Sequence, residues 1–479
     1  MRKKTATRPN LNIDLPVLDR DFVDESFERV TGAELIHGND VRLLIDAAEN
    51  YPAWMDAIAN AEHRILFESY IIHDDEQGTI FADALIKKAK EGVEVRLIYD
   101  WLGGFGTTSR SYWKRLRQNG VDVRQYNHPK LSDPLGAFSR DHRKTLIVDG
   151  RIAFVSGLCI GKDWVGQPEH NIPPWRDTGV QITGPAVADV EAAFAEVWAT
   201  MGSPLDPDKL SHREGLKETG SIALRVVQSA PGRGYIYRSD QMLAMAARET
   251  MWISDAYFVG IPSYLQSLKD TAMDGVDVRI LVPQGTDIAL IRDTTRSTYR
   301  PLLEAGVRVF EWNGPMMHAK TAVFDGMFSR VGSTNLNISS WFGNYELDVL
   351  IEDADFGRKM QQMFLNDLAG ATEIVLADTA RIKGPKARRK RRGRKEGGSV
   401  RRATAGALNA ATSIGSAIAN KTPLGPAEAR LLLIAGTILL IPAVFFIFFP
   451  RAASIPLIAI LLILAIPTLV KAVLNYRNN

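Results

Sequence analysis

Two ten-residue runs hold the residues with chemistry in them: "HRKTLIVDGR" at 142–151 and "HAKTAVFDGM" at 318–327. Each sets an imidazole two residues before an ammonium, continues through apolar positions and ends in Asp-Gly. Side chains alternate faces along a strand, so His142 and Lys144 share a face, as do His318 and Lys320. The apolar residues that follow bury the strand and make its start rigid. Asp149-Gly150 and Asp325-Gly326 are hairpin-turn pairs. The return strands, "RIAFVSG" and "MFSRVGS", end in small residues that let a backbone come close to a ligand. A cleft between two such units holds two His and two Lys. Two ammonium groups neutralise a phosphate; one imidazole attacks phosphorus while the other protonates the leaving oxygen. That division needs imidazoles in different protonation states, which neighbouring carboxylates arrange. Asp177, in "PPWRDTGV", and Glu346, in "GNYELDVL", follow shortly in the two copies. Each is expected to accept a hydrogen bond from a ring nitrogen and fix its tautomer, as the acid of a triad does. One His-x-Lys before a strand is ordinarily surface decoration; two, with Asp at the same offset, argue for a site. Lysine is a poor metal ligand and no HxxxH or CxxC pair supplies a cage, so neither metal nor cofactor is expected.

The elements that must hold these residues repeat in the same order. "ILFESYI" (65–71) resembles "WISDAYF" (252–258), "EGVEVRLIYD" (91–100) resembles "DGVDVRILVP" (274–283), and "NGVDVRQY" (119–126) resembles "AGVRVFEW" (305–312). The offsets agree: 275 − 92 = 183, 306 − 120 = 186 and 318 − 142 = 176. A period near 180 is too long for a solenoid and describes one α/β unit duplicated and fused. "HRILFESYII" and "VEVRLIYD" read as buried strands. Between them "GTIFADALIKKAKEG" has helical spacing and a terminal Gly. Strand, helix, strand predicts a parallel or mixed sheet covered by helices. The halves are placed at 31–205 and 206–380, after an N-terminal extension, 1–30. "DWLGGFGTTSR" (100–110) reads as a loop at the cleft mouth, with "PQGTDIAL" (283–290) in the matching position. His63, His73 and His128 have no partners by spacing and read as structural or exposed.

The chain has 479 residues, a net charge of +3 and one cysteine, Cys159, so an internal disulfide is excluded. The basic residues are bunched rather than spread, which does not call for nucleic acid. The start, "MRKKTATRPNLNIDLPVLDRDF", lacks the apolar core of a secretory signal. At the other end "LLLIAGTILLIPAVFFIFFP" and "AASIPLIAILLILAIPTLV" flank Arg451. Each approaches the roughly 20 apolar residues of a membrane helix, which predicts a transmembrane hairpin at 431–474. Before it, 381–430 combines the basic run "KARRKRRGRK", suited to anionic headgroups, with an Ala/Ser/Thr-rich segment. Basic residues on both flanks of the hairpin put the catalytic region in the cytoplasm by the positive-inside rule.

HxKxxxxD written twice resembles the phospholipase D superfamily. The second copy, "HAKTAVFDGMFSRVGSTNLN", matches its pattern through Gly332, Ser333, Asn335 and Asn337, and "PWRDTGVQITGPAV" and "MMHAK" look like bacterial cardiolipin synthases. The resemblance spans about residues 31–375. It implies a duplicated α/β sandwich of two pseudo-symmetric halves, each with a mixed sheet flanked by helices. It implies metal-free transfer of a phosphatidyl group through a phosphatidyl-histidine, on anionic phospholipid at a bacterial cell membrane, with phosphatidylglycerol as donor and no nucleic acid partner. By the resemblance His142, Lys144, Asp149, His318, Lys320 and Asp325 form the catalytic set, with His142 the nucleophile and His318 the acid and later the base. Lys144, Lys320 and Asn335 would hold phosphate oxygens, and Ser333, Asp177 and Glu346 complete the site. In the first copy Cys159 stands where the pattern has Asn, and reads as a space-filling residue. The motif leaves the acceptor open. A lipid alcohol makes a synthase and water a hydrolytic phospholipase D; nucleic acid makes a nuclease, and a dead site would leave a membrane scaffold.

Overall fold

A computed structural model describes residues 20–127, 139–286 and 289–376. The basic run, the Ala-rich segment and the expected transmembrane hairpin lie outside the described residues. Among the described residues no helix is long and apolar enough to cross a membrane.

The first seven strands are β1 (Ile36–Ile45), β2 (Arg64–Ser69), β3 (Glu94–Asp100), β4 (Asp122–Tyr126), β5 (Lys144–Val148), β6 (Ile152–Ser156) and β7 (Thr178–Thr183). Eight more follow: β8 (Ile222–Ser229), β9 (Thr250–Ser254), β10 (Asp277–Pro283), β11 (Arg308–Trp312), β12 (Thr321–Phe324), β13 (Phe328–Gly332), β14 (Glu346–Glu352) and β15 (Ala371–Ile374). They join as β15-β11-β10-β9-β12-β13-β14-β8-β1-β7-β6-β5-β2-β3-β4. Read outward from the central β1–β8 pair, the two arms run β1-β7-β6-β5-β2-β3-β4 and β8-β14-β13-β12-β9-β10-β11, the same order twice, and β15 adds an edge strand to the second. In each arm three successive strands, β2-β3-β4 and β9-β10-β11, are parallel, and the remaining pairs, β1–β8 and β11–β15 included, are antiparallel. Parallel neighbours need a crossover, which the helices Glu76–Lys90 and Pro262–Met273 supply. The first is capped by the Asp75 carboxylate, which accepts from Gly78 N at 3.0 Å.

Strand alternation sends each side chain row to a different core. Ile147 of β5 and Val323 of β12 enter a central core shared by both halves, with Phe194 and Val197 of the helix Val187–Ala199 and Phe356, Met360 and Phe364 of the helix Ala354–Ala369. Leu146 and Val148 face the first half's outer helices; Ala322 and Phe324 face the second half's. The sheets are therefore buried on both faces, which is why their strands read as unbroken apolar runs. The shared central core locks the halves together at the level of the two motifs.

Each motif strand begins by leaving its own sheet. His142 N donates to Tyr345 O at 2.9 Å and Tyr345 N to Arg140 O at 2.8 Å. In the other copy His318 N donates to Arg176 O at 2.7 Å and Arg176 N to Met316 O at 2.9 Å. These parallel bridges, Asp141 with Tyr345 and Arg176 with Met317, seat each histidine beside the approach to a strand of the other half, β14 for His142 and β7 for His318.

Candidate active site

Glu346 opens β14 and Asp177 immediately precedes β7, so the exchanged bridges give each histidine a carboxylate from the opposite half. His142 Nδ1 lies 3.0 Å from Glu346 Oε2, and His318 Nδ1 lies 2.6 Å from Asp177 Oδ2. An ionised carboxylate can only accept, so Nδ1 carries the hydrogen and Nε2 keeps its lone pair. Each carboxylate oxygen takes a further donor: Ser333 Oγ on Glu346 Oε2 at 2.5 Å, Trp164 Nε1 on Asp177 Oδ2 at 3.1 Å. Thr178 N reaches Asp177 Oδ1 at 2.8 Å and Asn344 Nδ2 reaches Glu346 Oε1 at 3.3 Å. Burial would raise both carboxyls. The histidine, lysine and hydrogen-bond partners outweigh it, and both stay below the ordinary range and ionised.

The imidazoles move the other way. Burial, with Lys144 and Lys320 acting in the same direction against Glu346, lowers His142. For His318, burial and then Lys320 outweigh Asp177 and push the ring down to about 4. Each ring thus feels the lysine of the opposite half as well as its own, as groups around one cleft do. Lys144 and Lys320 are buried. Each ammonium donates to the carbonyl of its own motif histidine, and each lies over an aromatic ring: Tyr70 at 5.2 Å and Tyr257 at 5.9 Å. Burial, reinforced by Lys144 and opposed by Asp177, lowers Lys320 to about 8. Two cations driven into a buried site beside two neutral imidazoles are a receptor for an anion.

Asn335 is 4% exposed, and its amide oxygen has no partner among the described residues. Its loop is anchored by buried Asp255, which accepts from Leu336 N at 2.8 Å and Tyr257 N at 3.0 Å. Cys159, its counterpart, is buried with its thiol pushed up by burial; its carbonyl accepts from Tyr51 Oη at 2.7 Å. Buried arginines fix the two acid-bearing strand starts. Arg176 forks onto Asp367 at 2.8 and 3.0 Å and reaches Asp46 at 3.1 Å. Arg143 donates to Glu346 O at 3.2 Å and Ala193 O at 2.6 Å.

Asp149 and Asp325 lie apart from the lysines of their motifs. They stand past the far ends of β5 and β12, roughly 16 Å along the strand from each lysine at about 3.3 Å per residue. Asp149 accepts from the backbone of Glu62, His63 and Arg64 at 2.8, 2.7 and 2.8 Å. Asp325 accepts identically from Arg248, Glu249 and Thr250 at 2.8, 2.7 and 2.8 Å. Their φ values, 52° and 51°, and those of Gly150 and Gly326, both 63°, are left-handed. This is the hairpin role the Asp-Gly pairs suggest. A groove of about 700 Å³ opens at that end, lined by Asp149 and Arg151 and by neither histidine.

Four aromatic contacts were not singled out from the residue pattern. Tyr70 packs on His142 with ring centroids 4.9 Å apart and Tyr257 on His318 at 6.1 Å. Both occupy one position of the repeated "ILFESYI"/"WISDAYF" segment, where the signal was present. Trp164 and Trp175 lie 5.5 and 5.6 Å from His318 and have no echo in the second half.

A family model described as cardiolipin synthase, PLD-like domain, matches residues 54–198 and 241–368, one match on each repeat. Cardiolipin synthase 2 of Bacillus anthracis is 33% identical over 356 residues, 72% of this chain and 68% of that protein. A cardiolipin synthase of Listeria monocytogenes serotype 4a (strain HCC23) is 32% identical over 350 residues, 72% of each. Among solved structures, the phosphatidylserine synthase of Haemophilus influenzae Rd KW20 aligns over 73% of this chain and 91% of its own, with a TM-score of 0.57 at 16% identity. That is a likeness of fold.

Proposed function

The chain belongs to the cardiolipin synthase family of phospholipase D-like proteins and is a phosphatidyltransferase of that superfamily; from that premise we propose that it moves a phosphatidyl group from phosphatidylglycerol to a second lipid alcohol through a phosphatidyl-histidine. The observation that carries the reading is the exchanged pair of dyads, His142–Glu346 and His318–Asp177, with both motif lysines beside them.

Lys144, Lys320 and the Asn335 amide take the phosphodiester oxygens. The anion offsets the lysine charges that depress the rings, and His318 becomes basic enough to hold a proton while His142 stays neutral. His142 Nε2 attacks phosphorus: a P–N bond forms and the P–O bond to the headgroup alcohol breaks. The departing oxygen takes the His318 proton, so glycerol leaves neutral. The hydroxyl of the second lipid then gives its proton to His318 and attacks phosphorus. The P–O bond forms, the P–N bond breaks, and both rings return to their first state. Asp177 and Glu346 hold tautomers and stabilise whichever ring is charged. The apolar pair at 431–474 anchors the chain, with the catalytic region on the cytoplasmic side.

Purified full-length protein incubated with head-labelled and acyl-labelled phosphatidylglycerol tests this. Cardiolipin with one glycerol released per transfer is expected; phosphatidic acid as the sole lipid product would replace the lipid acceptor with water.

A further inference from the structure

We propose that the loops ringing the cleft form a docking rim that presses into the lipid bilayer and lowers the two histidines to the plane of the phosphates; this rests on the phosphatidyl-transfer reading. Three of these loops join the surroundings of the histidines, one through Trp175 and two through the tyrosines that pack on the rings, to large apolar side chains open to solvent. The loop 101–109 packs on Tyr70: a Cβ at Gly103 would stand 1.9 Å from Tyr70 O. It exposes Leu102 and Phe105, the latter 67% accessible. The loop 166–175 ends in Trp175, against His318, and exposes Ile172. The loop 333–344 carries Asn335, is tied to Tyr257 O through Asn337 Nδ2 at 3.1 Å, and exposes Ile338, 61% accessible, and Phe342. The first two loops come from one half and the third from the other, so the exposed apolar side chains are drawn from both halves rather than from one element.

A ring of side chains this exposed is unfavourable in water unless something covers it. By contrast Ile80, Met273 and Leu365 are exposed singly on separate helices, which calls for no explanation. The occupant follows from the substrate. His142 and His318 are recessed, 9% and 5% exposed. A phospholipid's phosphate stays at the level of the headgroups, because leaving that level exposes acyl chains to water. A recessed site reaches such a phosphorus only if its rim enters the interface, and apolar residues sink about 5–10 Å into that region.

The test uses the full chain in phosphatidylglycerol vesicles. With the native Cys159 buried, a bimane attached to Phe105→Cys reports the rim alone, and quenching by brominated lipid is expected; its absence overturns the proposal whatever the enzyme's activity. The double variant Phe105→Ser/Ile338→Ser is expected to lose roughly tenfold or more in rate on bilayer lipid. Its rate on monomeric dihexanoyl phosphatidylglycerol should stay within about twofold. An unchanged bilayer rate overturns docking, and so does an equal loss on both substrates, which would place these residues in the fold or the chemistry. If the parent protein transfers from neither lipid, the phosphatidyl-transfer reading falls first and the rim loses its purpose with it.

Discussion

His318, in the second half, gives its Nδ1 hydrogen bond to Asp177 of the first half across 2.6 Å. The reverse exchange joins His142 of the first half to Glu346 of the second. Neither half therefore owns a complete dyad. Each half carries an incomplete set whose completion depends on how the halves dock. The shared core of the helices Val187–Ala199 and Ala354–Ala369 fixes that docking, so the packing of residues far from the cleft controls whether the dyads close.

If His142 attacks and His318 protonates, removing each acid has a different signature. Asp177→Asn leaves His318 without an anion to stabilise its charged form, and turnover of phosphatidylglycerol should fall by roughly 10²–10⁴. A donor with a nitrophenolate leaving group needs no proton on departure. In Asp177→Asn it should still load the enzyme covalently at nearly the parent rate, whereas Glu346→Gln should slow loading itself. Rapid-quench labelling of the phosphatidyl-enzyme reads both, and the opposite pattern would exchange the roles of the two histidines.

The Asp-Gly residues should act on stability alone. Asp149 accepts three backbone N–H groups, and these outweigh burial to hold its carboxyl below the ordinary range. Asp149→Ala orphans those donors at a cost of about 1–3 kcal/mol, visible as a lower melting temperature with kcat unchanged in the folded fraction. A carboxylate with a lowered folded pKa stabilises above its unfolded pKa and loses that contribution as pH falls through the folded one. The gap in melting temperature between parent and variant should thus close below about pH 4. A large loss of kcat at full folding would return Asp149 to the catalytic set.

What was legible in the sequence was whatever the duplication wrote twice at fixed spacing. The His-Lys pairs and the Asp-Gly turns repeat within a strand, where local geometry decides which residues share a face, and the strand–helix–strand order is enough to predict a mixed sheet. The assignment of Glu346 to His142 was not legible, because it joins residues 204 apart through a bridge that exists only once the halves are packed. Trp164 stayed hidden for a different reason. Its counterpart as donor is Ser333, which corresponds by position to Gly157. A Cβ at Gly157 would lie 2.2 Å from Asp177 Oδ1. The shorter Asp177 leaves no room for a serine there, so the third donor comes from another element, and no repeat marks it. Tyr70 and Tyr257 were written in the repeat, yet a tyrosine ending an apolar strand looks like core until the ring is seen against an imidazole.

Lys320 sets the alkaline boundary for binding. With its pKa lowered to about 8, it is charged below that pH and neutral above it. One of the two cations awaiting the phosphate is then lost. The kcat/KM reports groups of the free enzyme. Because His318 sits at about 4 there and must take up a proton to act, kcat/KM should already decline through neutral pH. Above pH 8 the decline should steepen by up to about a further tenfold per unit, carried by KM. Arginine stays protonated throughout this range, so Lys320→Arg should remove the added slope above pH 8 even if its overall rate is reduced. A parent profile whose slope does not change between pH 7 and 9.5 would mean that Lys320 keeps its charge.

Trp164 and Ser333 give the most direct reading of the two dyads, because each donates to the same carboxylate oxygen that holds a histidine. A donor on that oxygen weakens it as an acceptor and so lowers the basicity of the ring. Trp164→Phe keeps an aromatic ring against His318 and deletes the N–H; Asp177 should then hold the His318 proton more tightly. In the substrate complex His318 must be protonated to act, so its higher pKa moves the high-pH limb of kcat upward, by about 0.5–1 unit for one hydrogen bond. Ser333→Ala does the same to His142 through Glu346. There the ring must be neutral to attack, so the low-pH limb moves upward and the active range narrows. The two substitutions therefore displace opposite limbs in the same direction. Loss of packing alone would scale kcat and leave both limbs where they were.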